Sequence, residues 1–167
     1  MSLMYTRCME LWHVMNHGVE ARDLFLDSQD YARFVHDLYL FNRSELDHNH
    51  GRPFDRDPMR DIVSLSSVGR RSGLVDIHGW VLMKDHYHLL LSERVEGGLR
   101  IFLRKLNVGY SKFVNERYER KGALFRSRTK KVLIERQEQI LYILHYIHLN
   151  PLDYMRGATA WRIRSHA

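Results

Sequence analysis

The sequence predicts an α+β chain: a ferredoxin-like βαββαβ antiparallel sheet with helices on one face, then an extra C-terminal helix. Three observations carry that prediction. Glu10 to His17 alternates well enough for a half-buried strand, and Gly73 to Met83 and His86 to Ser92 read as two further strands, the last strongly apolar. Apolar residues recur at helical spacing through Tyr31, Phe34, Val35, Leu38 and Phe41, and again through Leu99, Phe102, Leu103, Leu106, Tyr110, Phe113 and Val114. A last helical pattern, with Ile140, Leu141, Ile143, Leu144 and Ile147, must stop near Asn150, because Pro151 disfavours an α conformation in the residue before it.

The first strand places Leu11, His13, Met15 and His17 on one face and Trp12, Val14 and Asn16 on the other, and Gly18 breaks it. Asp27 or Ser28 can cap the first helix. The second strand is expected to turn Val75, Ile77 and Gly79 one way. Lys84-Asp85 then makes the tight turn of a hairpin. Gly97-Gly98 precedes the long second helix, which should run to Gly122. Leu124 to Ile134 reads as the fourth strand, best buried at Val132-Leu133-Ile134, and Glu135 to Leu149 as the last helix. One domain is expected, with a core over 10–152, an insertion loop over 43–72 and a tail over 153–167. The loop is far longer than the usual ~4–6 residues. It carries Asp47-His48-Asn49-His50, a conceivable metal set, although a surface loop is a poor place to preorganise ligands.

The 167 residues are 44% hydrophobic and 28% charged, a composition that folds. The single cysteine, Cys8, excludes an internal disulfide framework and fits a reducing cytoplasm. Met1 to Glu10 lacks the apolar core of a signal peptide. No apolar run approaches the ~18 residues of a membrane span. Charge is uneven. Between Arg100 and Lys131 the chain carries +9, against +6 for the whole, so the remainder is mildly acidic. Arg100, Arg104, Lys105, Lys112, Arg126, Arg128, Lys130 and Lys131 are the candidate contacts to a polyanion. Phe102, Tyr110, Phe113, Tyr118 and Phe125 interleave with them, which suits single-stranded nucleic acid, though several must be core.

Two segments carry chemistry. In His86-Tyr87-His88, alternation puts both imidazoles on one strand face, about 6.6 Å apart along the strand, where they can converge on a divalent ion. In Tyr146-Ile147-His148-Leu149-Asn150-Pro151, Tyr146 and Asn150 are four apart and share a helix face. They offer a nucleophilic phenol and a carbonyl oxygen for a metal. Each feature alone has an ordinary explanation: a structural histidine pair, a core tyrosine, an asparagine ending a helix. Tyr142 lies one turn before Tyr146 as a decoy.

Taken together, the chain resembles the single-tyrosine HUH transposases, most of all the REP-associated tyrosine transposases. The matching text is Trp12-His13-Val14-Met15-Asn16-His17-Gly18 leading to Asp23-Leu24-Phe25-Leu26, then Gly79-Trp80-Val81-Leu82-Met83 with His86-Tyr87-His88-Leu89-Leu90-Leu91, then Gly122-Ala123-Leu124-Phe125-Arg126-Ser127-Arg128, then Tyr146 to Pro151. The resemblance runs in family order over roughly residues 11–152. It implies His86, His88 and Asn150 as ligands of Mg²⁺ or Mn²⁺ and Tyr146 as the nucleophile that forms a 5′-phosphotyrosine. It also implies single-stranded DNA with a foldback hairpin as substrate, and a cytoplasmic, nucleoid-associated setting. Relatives act as dimers or monomers, and the sequence leaves both open. The chain departs from the family in its long loop, in the text after Pro151, and in His17, where an arginine is common. Two other functions stay open: a domesticated protein that binds hairpin nucleic acid without cleaving it, and a metal hydrolase of small phosphates.

Overall fold

A computed structural model describes residues 10–43, 73–126 and 128–149, with backbone alone for Gln137, Tyr146, His148 and Leu149. The insertion with its Asp47-His48-Asn49-His50, the residues from Asn150 onward and Cys8 lie outside the described residues.

The strands are β1 (Leu11–His17), β2 (Val75–Met83), β3 (His86–Glu93) and β4 (Lys130–Ile134); the helices are α1 (Ser28–Leu40), α2 (Gly98–Arg117) and α3 (Gln137–Leu149). The sheet order is β2-β3-β1-β4, with every neighbouring pair antiparallel. This is the predicted ferredoxin-like plan. Alternation on the central strands sends their side chains into two cores. Val14, Tyr87, Leu89 and Leu91 pack with Phe34 and Leu38 of α1 and Phe102, Leu106 and Tyr110 of α2. On the opposite face Val81, Met83, Leu90 and Ile134 pack with Ile143 and Ile147 of α3. The sheet is thus covered on both sides, by two helices on one and by the last helix on the other.

Local chemistry fixes the helix ends. Asp27 caps α1, its carboxylate accepting from the Gln29 and Asp30 amides at 2.9 and 3.1 Å. The N-terminus of α2 gives its Leu99 amide to Glu93 at 2.9 Å. The last helix begins at Gln137 rather than Glu135. The Gln139 side chain accepts from the Glu135 and Arg136 amides at 3.0 and 3.1 Å and holds those residues just outside the helix.

Four expectations need correction. Gly79 does not share a face with Val75 and Ile77. The register steps from Ile77↔Leu91 to Gly79↔Leu90, so His78 is an extra residue, a β-bulge that inverts the facing of everything after it. Helix α2 ends at Arg117, short of Gly122, because Arg117 and Tyr118 turn inward to Asp30 at 2.6 and 2.8 Å, and Glu119 takes φ 47°. The fourth strand is only five residues long. Leu124 and Phe125 are both buried in the helical core, which consecutive residues of a regular strand cannot be. Val132 is 39% exposed and Leu133 half-buried, because β4 is an edge strand, so only Ile134 of that triplet is buried.

Candidate metal and nucleic-acid site

The β1–β3 register puts His17 directly opposite His86 and Met15 opposite His88. Opposed residues share a face, so His13 and His17 join His86 and His88 on the side that α3 covers. The rings are in contact. His17 stacks on His86 with centroids 4.6 Å apart, and His86 meets His88 edge to face at 5.0 Å. His88 Nδ1 and His13 Nε2 are hydrogen-bonded at 3.0 Å. Two of these residues, His13 and His88, are buried, while His17 and His86 are half-buried.

Sheet and α3 enclose a cavity of about 410 Å³, lined by the four imidazoles, by Met15 and Ile134, and by Tyr142 and Ile143 of the helix. The last helix therefore docks over the histidine face. Tyr142 is 48% exposed at the cavity mouth. Tyr146 follows it on the same helix by one turn, and Asn150 lies outside the described residues.

Burial and neighbouring charges favour the neutral forms of His88, His13 and His17. Burial, then the neighbouring His13, His86 and His17, push His88 down to about 3. Burial and the Lys130 ammonium lower His13. Burial, His86 and the Arg126 guanidinium lower His17, against an opposing pull from Asp85. Burial alone would raise Asp85. The hydrogen bond and charge of His86, its own backbone amide and the charge of His17 together hold it below its ordinary value. A neutral imidazole keeps a lone pair for a metal, and an ionised carboxylate is the matching oxygen donor. The donor set therefore fits a divalent ion. Among the described residues, the one group of three donors that converges is His17, Asp85 and His86, with ligand atoms within 4.8 Å of one another.

Below the site, polar contacts anchor the His86-Tyr87-His88 strand. Tyr87 points into the helical core and donates to Asn107 Oδ1 of α2 at 2.8 Å. Asn107 and Asn16 both donate to the Thr129 hydroxyl, at 3.0 and 3.1 Å. Strand, helix and the approach to β4 are thereby tied behind the two histidines.

The candidate DNA contacts divide between the two sides. Lys130 faces the histidine side opposite Met15, and the Arg126 amide bonds the His17 carbonyl at 2.9 Å. Arg100, Arg104 and Lys112 are exposed on α2, across the sheet from the cavity, and Lys105 gives its ammonium to the Arg43 carbonyl at 3.0 Å. Arg128 and Lys131 are exposed as well. The interleaved aromatics are committed to the core. Phe102, Tyr110 and Phe125 are buried, and Phe113 and Tyr118 pack half-buried against them. Sequence reasoning missed His13, His17 and Asp85 as site residues. The signal was present in the shared face of His13 and His17, but it acquires meaning only when β1 is paired with β3.

Neither a protein-family model nor a curated protein matches the chain. Among solved structures the chain is similar to a REP-associated tyrosine transposase bound to a REP hairpin. The likeness covers 93% of this chain and 75% of that chain, at a TM-score of 0.57 and 15% sequence identity. It shows a shared fold. No described helix is long and apolar enough to cross a membrane.

Proposed function

We propose that this chain is a metal-dependent enzyme that cleaves and rejoins single-stranded DNA beside hairpins through a tyrosine nucleophile. The observation that carries the reading is the seating of α3 over the histidine face of the sheet, which brings the tyrosine-bearing helix to the imidazoles. The fold shared with a transposase solved on a hairpin supports it further. In this reading Tyr146 is the nucleophile, and His86, His88 and Asn150 would hold a Mg²⁺ or Mn²⁺ ion, which would supply Lewis-acid polarisation of the scissile phosphate. The phenol oxygen bonds to phosphorus as the bond to the 3′ oxygen breaks. The phenol proton leaves to solvent and the departing 3′ oxygen gains one. The phosphotyrosine conserves the bond for a second strand, so the reverse attack by a 3′-hydroxyl rejoins DNA. Arg126 and Lys130 contribute positive charge on the cavity side, and Arg100, Arg104, Lys105, Lys112, Arg128 and Lys131 contact the flanking DNA.

The test is incubation with short hairpin oligonucleotides and Mn²⁺, followed by denaturing electrophoresis. A covalent protein–DNA adduct is expected from the native chain and from Tyr142→Phe. Tyr146→Phe should form none while keeping the native circular dichroism. Full adduct formation by Tyr146→Phe would sink the assignment. Salt-dependent hairpin binding without adduct under any divalent ion would replace it with a non-cleaving binding function.

A further inference from the structure

We propose that, in the DNA-free protein, a first-row divalent transition-metal ion is held by His17, Asp85 and His86, at the end of the β1–β3 pair. This ligand set shares His86 with the proposed catalytic set and takes His17 and Asp85 in place of His88 and Asn150. It rests on donor geometry, not on DNA cleavage.

Three observations converge. Ligand atoms of the three residues already lie within 4.8 Å of one another. Donors to such an ion sit about 2.0–2.2 Å from it, so opposite donors are about 4 Å apart and only a small side-chain movement closes the site. Next, the backbone around the three is fixed. His17 and His86 are direct cross-strand partners. The Gly18 amide bonds the Asp85 carbonyl at 2.8 Å, and the Leu24 amide bonds the Lys84 carbonyl at 2.7 Å. The hairpin turn is thus clamped to the chain leaving β1, and the donors stand on rigid elements rather than on a loose loop. A Cβ on Gly18 would collide with the Arg22 carbonyl, so this close passage depends on glycine. Finally, His88 is engaged elsewhere: its Nδ1 bonds His13, while His86 Nδ1 turns to Asp85 at 2.7 Å. The two histidines of the motif therefore divide between two partners, and His86 belongs to the carboxylate side.

Two imidazoles and one carboxylate suit Mn²⁺, Fe²⁺, Co²⁺ or Zn²⁺ better than Mg²⁺, which prefers an all-oxygen shell. All three donors are half-buried, so open coordination positions face solvent at the rim. A phosphate oxygen is a natural occupant of such a position.

The experiment is a Co²⁺ titration of the full chain without DNA, followed by the visible absorption of the bound ion, with circular dichroism to check folding. His17→Ala and Asp85→Asn are each expected to weaken Co²⁺ by about tenfold or more. His17→Gln, a milder change, should also weaken it if Ala disturbs the fold. His88→Ala is expected to lower the affinity less than His17→Ala does. Absence of Co²⁺ binding by the native chain, or native affinity in His17→Ala and Asp85→Asn, overturns the proposal. So does a loss in His88→Ala equal to that in His17→Ala, which would place the ion between the two motif histidines. Adduct formation with hairpin DNA is a separate readout, so failure of this ligand set is distinguishable from failure of the strand-transfer function.

Discussion

His88 is a motif histidine whose surroundings dictate its protonation. Burial and the adjacent imidazoles of His13, His86 and His17 hold it near 3, while in the unfolded chain it titrates near 6.5. Between those values the unfolded state binds a proton that the folded state refuses. Stability therefore falls as pH drops below about 6.5 and keeps falling toward 3. Going from pH 7.5 to pH 5 should cost about 2 kcal/mol through His88 alone, read as a lower urea midpoint in EDTA-treated protein. His88→Gln should flatten that part of the profile; an unchanged pH slope would show that His88 titrates normally. The motif itself was legible at this scale, since period-2 alternation already put His86 and His88 on one face. Their partners were not. Whether His13 and His17 face the same cavity depends on strand register, and Asp85 reads in sequence as a turn residue.

Helices α1 and α2 are joined at one end by a buried carboxylate. Asp30 is fully buried and accepts from Arg117 at 2.6 Å, from the Tyr118 hydroxyl at 2.8 Å and from the Leu26 amide at 2.8 Å. Burial and this acceptor push the Tyr118 phenol up to about 12. Removing the carboxylate strands three donors, although Arg117 keeps Asp27 at 2.6 Å. Asp30→Ala should therefore destabilise by about 3 kcal/mol in urea denaturation. A loss within experimental error would assign the contact to the solvated surface. This junction also explains why helix α2 was misjudged from sequence. The amphipathic pattern gave the body of the helix from Leu99 to Val114, but its end is set by contacts to Asp30, more than eighty residues earlier. The glycine at 122 looked like the stop and instead accepts an Asn115 side-chain bond at 3.0 Å in the following turn.

At the scale of the whole molecule, the sheet separates two packing regions of unequal strength. The α1–α2 side holds most of the large buried side chains, and the α3 side rests on a smaller cluster around Ile143 and Ile147. Loosening the second should not dissolve the first. Ile143→Ala, which removes about 2–3 kcal/mol of burial and packing, should speed amide hydrogen exchange along α3 and leave Phe102 to Leu106 of α2 protected. Equal acceleration in both helices would show a single cooperative unit. The layered plan was readable because long periodic segments announce their buried faces. The placement of α3 on the far side was needed for the site, yet its pattern, apolar over much of its circumference, does not say which surface it meets.

One residue makes the two-sided arrangement possible. His78 is exposed, and its ring does no more than bond the Ser92 hydroxyl at 2.8 Å. Yet it is the extra residue that lets β2 give Val75 and Ile77 to one core and Val81 and Met83 to the other. The strand is written in two phases, and His78 is the step between them. Replacing its side chain forfeits about one hydrogen bond, on the order of 1 kcal/mol. Pairing His78 as a regular strand residue would instead put the two halves in one phase, sending either Val81 and Met83 away from α3 or Val75 and Ile77 away from α1 and α2. At this position what matters is that one residue stands outside the pairing, not which residue it is.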